Sequence, residues 1–151
     1  DNKLASIFTI VKKESIDLQM MYESTSNKIN IFLSPEYYSN YDNMKTMPEF
    51  NNIVFSMIVI PALAGCLCEL KSSIDDYMDI GDVIEQKRWF KSIILSYEKV
   101  TGSSLSMEEF KEKNSLELAQ IVLNNATCNG IRDFHNLLVK GKGSEGAEED
   151  E

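Results

Sequence analysis

The sequence predicts an α+β domain, a small N-terminal antiparallel β-meander packed on a C-terminal bundle of about four to five helices. Two patterns carry this prediction. Over the first third, apolar residues alternate with polar ones at Ile16, Leu18, Met20 and Tyr22, and again at Ile29, Ile31 and Leu33. Beyond residue 50 the apolar period lengthens to that of a helix, and capping and stop signals separate the stripes. The 151 residues, 43% of them apolar, suit one domain with a real core, spanning 1–140.

The first strand is the β-branched and aromatic run Ile7 to Val11, ended by Lys12-Lys13-Glu14. Ser24-Thr25-Ser26-Asn27 supplies turn chemistry between the two alternating segments. Ser34-Pro35-Glu36 reads as a helix start, with Ser34 as N-cap and Pro35 in the first turn. A short polar segment rich in tyrosine follows. Thr46-Met47-Pro48-Glu49 is a second start.

From Ile53 to Leu70 the chain is apolar except at Ser56 and Glu69. A membrane span needs about 20 such residues, and this run is slightly short, contains Pro61 and Gly65, and lacks a basic flank. It reads instead as a central helix covered on most sides. Pro61 has no amide hydrogen and crowds the preceding turn, so a kink or break is expected near Val59–Ile60.

Asp82 and Glu85 then resemble a capping box, Phe90, Ile93, Ile94, Tyr97 and Val100 form one stripe, and Gly102 marks a stop. Ser106 with Glu109 and Asn114 with Glu117 start two more helices. Cys128-Asn129-Gly130 predicts a break, after which Ile131, Phe134, Leu137 and Leu138 make a last stripe. Residues 141–151 have little to bury and are expected to be a disordered acidic tail.

Charge excludes some functions. The net charge is −9; five carboxylates and one lysine in 141–151 account for −4, leaving −5 for the body. Basic residues occur only scattered or in pairs such as Lys12-Lys13 and Lys87-Arg88, so nucleic-acid binding is not expected. The cysteines, Cys66, Cys68 and Cys128, are odd in number and form no framework, which suggests free thiols in a reducing, cytoplasmic setting. The chain begins at Asp1 and shows no secretory signal pattern, consistent with a piece cut from a longer protein.

Catalytic constellations are sparse. Asp75, Asp76 and Asp79 lie close enough in sequence to offer oxygen ligands to a hard cation. The calcium-loop pattern fails, because Ile80 stands where that loop needs glycine and Gln86 where it needs glutamate. Asp75-Asp76-x-x-Asp79 resembles the aspartate-rich motif of isoprenoid synthases, which implies magnesium and diphosphate, but the length and second motif of such enzymes are missing. These three carboxylates equally read as a solvated loop before a capped helix. His135 is the single histidine and sits two positions from Asp133, a spacing that points the two apart on a helix. Gly141-Lys142-Gly143-Ser144 lacks the strand-before, helix-after context of a phosphate loop. No motif calls for a cofactor.

Tyr37, Tyr38 and Tyr41 crowd a polar segment, where they could form a binding patch or half-buried lids on the sheet. Trp89 is a fourth candidate anchor. The helical stripes exceed what a small meander covers, and the surplus points to a protein partner or a second copy. The sequence therefore favours a non-enzymatic interaction or assembly domain, such as the C-terminal part of a larger bacterial or phage protein. Two alternatives stand beside it: a metal-dependent enzyme using the aspartate cluster, and an acidic inhibitor that imitates nucleic acid.

Overall fold

In a computed structural model that describes residues 4–15 and 20–149, the chain is α+β with its strands at the N-terminus. Ile16 and Leu18, expected to open the second strand, lie outside the described residues. The strands are β1 (Phe8–Lys12), β2 (Met20–Ser24) and β3 (Ile29–Leu33). Their order is β1-β3-β2, with β1 parallel to β3 and β2 antiparallel to it. The sheet is therefore mixed, and the expected antiparallel meander is corrected. The physical reason is that period-two alternation fixes which face a strand buries, not which strand lies beside it. Because Lys12 and Met20 both pair with Leu33, the chain leaves β1 and enters β2 at the same end of β3. The strand richest in large apolar residues takes the centre, where Ile29, Ile31 and Leu33 are buried.

Registered triplets share a face. Ile10, Ile31 and Tyr22 lie in one row toward the helices, and Val11, Phe32 and Met21 lie in one row on the opposite face. On that outer face Thr9 Oγ1 donates to Asn30 Oδ1, and Lys13 Nζ lies 4.7 Å from the Phe32 ring centroid. The turn before β3 is closed by Thr25, whose Oγ1 accepts from Lys28 N at 3.0 Å while its own amide donates to Lys28 O at 2.8 Å.

The helices follow. Helix α1 is Pro35–Met44, entered through Ser34 as expected. Helix α2 runs Pro48–Ser72 and is long and apolar enough to cross a membrane. Here it is the central core helix: Leu63 and Leu67 are fully buried, with Ile60, Cys66 and Leu70 beside them. It begins with a 3-10 turn at Pro48–Phe50 and contains a π turn at Phe55–Val59 before α-geometry resumes at Ile60. The irregularity lies just ahead of Pro61, where the missing amide hydrogen interrupts the ladder, and the helix continues through it.

The next stretch divides into α3 (Ile80–Gln86) and α4 (Trp89–Thr101) where one capped helix was expected. The cap is Asp79, which forms a reciprocal box with Asp82, so Asp82 is the third helical residue and not the cap. Extended backbone at Lys87 separates the two helices and frees groups for the β2–β3 turn. Arg88 N donates to Ser26 O at 2.6 Å, and Lys87 Nζ donates to Ser24 O at 2.9 Å. Gly102 ends α4 in the left-handed region at φ 76°, where a side chain would be strained.

Helices α5 (Met107–Glu112) and α6 (Ser115–Val122) start at Ser106 and Asn114 as the sequence predicts. Phe110 of α5 packs 4.8 Å from Phe90 of α4, centroid to centroid. Helix α7 spans Ala126–Glu149, so Cys128-Asn129-Gly130 is helical and the predicted break there is corrected. The turn comes earlier, at Asn124 and Asn125, both left-handed with φ 53° and 59°. Gly130 serves close packing instead: a Cβ there would stand 3.1 Å from Asn52 O and 3.2 Å from Ser56 Oγ of α2.

Candidate interaction surface

Helix α7 is the largest element that the core does not enclose. Its inner side is fixed by Ala126 and Gly130, both buried, and by Asp133, whose Oδ2 accepts from Asn52 Nδ2 at 2.9 Å. With the inner side so defined, 100° per residue carries Ile131, Phe134 and Leu138 onto one flank. They are 66%, 54% and 51% exposed. Spacings of three and four residues place them one above another along the helix, as in a seam for a second helix. Val139, on another side of α7, and Met57 on α2 add further exposed apolar surface. Large apolar side chains left in water singly are ordinary, but an aligned row of three is a surface that gains by being covered.

The candidates expected from sequence are distributed elsewhere. Tyr37, Tyr38 and Tyr41 share α1, and Tyr38 meets Tyr41 edge-on at 5.8 Å. Tyr37 is exposed, whereas the other two are half-buried. Tyr41 lies near Phe8 and Ile10 of β1, and burial pushes its hydroxyl above the usual tyrosine range despite nearby Lys45. Lys45 pairs with Asp42 at 2.7 Å. Trp89 is not at the surface. It is buried, its indole Nε1 donating to Thr25 O at 3.0 Å and Ser24 Oγ at 3.2 Å, and it ties the β2–β3 turn to the helices.

The aspartates do not converge. Asp79 Oδ1 is engaged as the cap of α3, accepting from Asp82 N at 2.9 Å. Asp75 Oδ1 accepts from Tyr77 N at 3.1 Å in a local turn, and Asp76 faces Lys111 at 4.0 Å. Among the described residues no three His, Cys, Asp or Glu side chains are grouped to hold a metal ion. His135 is exposed on α7, and Asp133 is turned toward Asn52. Cys66 is buried and its thiol is pushed up to about 12, first by burial and then by Glu69, while Cys68 and Cys128 are exposed. No protein-family model, curated protein sequence or solved structure matches the chain.

Sequence periodicity locates the α7 stripe but treats it as one more core-facing helix side. The signal that it stays uncovered was the surplus of apolar stripes over the area of a three-stranded sheet.

Proposed function

We propose that the chain is a non-enzymatic protein-interaction or assembly domain whose contact surface is the outer flank of α7. The observation that carries this reading is the aligned, exposed row Ile131, Phe134 and Leu138. A helix presenting apolar residues at three- and four-residue spacing is the shape that packs against another helix, in a groove or in a coiled-coil pair. A second copy of the chain is the partner to test first, because like stripes related by a two-fold axis cover one another. The scattered aspartates and the engaged Asp79 give the metal-enzyme alternative no comparable support.

Light scattering over a hundredfold range of concentration, on the full chain and on Phe134→Glu, tests the reading. Phe134 is more than half exposed, so the substitution leaves the core intact. Self-association of the full chain that Phe134→Glu abolishes is the expected result. A strictly monomeric protein sinks the homotypic form, and an oligomer indifferent to Phe134→Glu moves the interface away from α7.

A further inference from the structure

Beside α2's first turns, the start of β1, helix α4 and the end of α6 enclose an open groove of about 700 Å³. That lies within the ~300–1,000 Å³ usual for small-molecule sites. Helix α4 presents two faces. Trp89, Phe90, Ile93 and Tyr97 enter the core, and Ser92, Leu95, Ser96 and Lys99 line the groove at helical spacing. Phe8 and Phe55 line it from β1 and α2, and Val122 and Leu123 from the end of α6. Two backbone irregularities meet there: Phe55 opens the π turn, and Asn124 is left-handed.

The charge of the groove departs from that of the chain. The protein carries 24 Asp and Glu, yet among the described residues none lines this groove, and Lys99 is the one ionised group there. Among the described residues Lys99 has no salt-bridge partner. Its place in the last turn of α4 suits the helix dipole, but that does not account for the apolar walls beside it. Mostly apolar walls, with Asn52, Ser92, Ser96 and Asn124 among them, and one cation without a salt bridge among the described residues complement a molecule with an apolar body and a single negative end.

We propose that this groove binds a free linear aliphatic carboxylate, its chain between Phe8, Phe55 and Leu95 and its carboxylate at Lys99. The site is independent of the α7 flank, so either assignment can fail alone.

Calorimetric titration of the full chain with decanoate, and with decan-1-ol as the uncharged counterpart, tests the assignment. Decanoate is expected to saturate one site. Lys99→Met weakens decanoate about two- to fivefold, the range for one exposed ion pair, and leaves decanol unchanged. Leu95→Asp, at a position 45% exposed and outside the core, removes binding of both. Circular dichroism melts confirm that each variant folds. The proposal is overturned by absence of saturable decanoate binding, by equal effects of Lys99→Met on both ligands, or by binding that survives Leu95→Asp. Loss of binding in Phe134→Glu would place the ligand on α7 and overturn it as well.

Discussion

Replacing Gly65 by alanine sets two known effects against each other. In the interior of a helix alanine is favoured over glycine by about 1 kcal/mol. At this position, however, the added Cβ would overlap Tyr22 Oη and stand 2.6 Å from Cζ and 3.0 Å from Cε1. The backbone of Tyr22 is held by its pairing with Ile31 on β3, so the side chain has to move. Moving it disturbs the hydrogen bond from Tyr22 Oη to Glu69 Oε1, 3.1 Å, and the ring's packing on the core. Overpacking of this kind costs about 1–3 kcal/mol, and a lost hydrogen bond about 1 kcal/mol more. After the helix gain is set off, Gly65→Ala is expected to destabilise by about 1–3 kcal/mol. Urea unfolding should show a lower midpoint with an unchanged slope. Tyr22→Leu in the same background removes the ring that Cβ meets, so the two changes should couple by at least ~0.5 kcal/mol. A Gly65→Ala protein more stable than its parent, or strict additivity with Tyr22→Leu, would refute this close approach of β2 to α2.

Other consequences can be measured on the same material. Tyr22 is raised from 10.0 to about 12, by burial first and then by Glu69. Its folded form thus holds its proton longer than the unfolded chain does, and the stability it contributes is complete below pH 10 and lost as the pH rises toward 12. Urea midpoints across that window should fall less steeply in Tyr22→Phe. Iodoacetamide under native conditions should label Cys68 and Cys128 and spare Cys66, with all three labelled in urea, as read by mass spectrometry; native labelling of Cys66 would contradict its burial. Asp79→Ala should cost about 1 kcal/mol through loss of the α3 cap. Magnesium should leave the melting temperature of the parent unmoved, and a dose-dependent rise would revive a cation site at these aspartates.

Local chemistry made much of the fold legible. Ser34-Pro35, Ser106 with Glu109, and Asn114 all mark true helix starts, because each signal is complete within four residues. Where the reading departed from the structure, a distant contact decided. Lys87 and Arg88 leave the helix to hydrogen-bond the β2–β3 turn, more than sixty residues away. Gly130 looked like a stop and proved to be a crossing point against Asn52, a use that only the neighbouring helix reveals. The turn at Asn124-Asn125 was open to notice, since asparagine tolerates the left-handed region better than most residues. Trp89 shows the limit for sites: a large aromatic beside a stripe reads alike whether it anchors a partner or the core, and here Thr25 claims its indole.

The central position of β3 has a consequence for synthesis. Thr9 of β1 must wait for Asn30, 21 residues later in the chain, before it has a neighbour. At ~5–20 residues per second that is about one to four seconds in which an apolar segment is on offer to other nascent chains. The β2–β3 hairpin, by contrast, closes within about 10 μs once made. If β1 then fails to arrive, β3 presents a bare apolar edge, a template for strand addition from any chain. Lys12 and Lys13, placed directly after the Ile7–Val11 run, are the kind of charged gatekeepers that slow such capture.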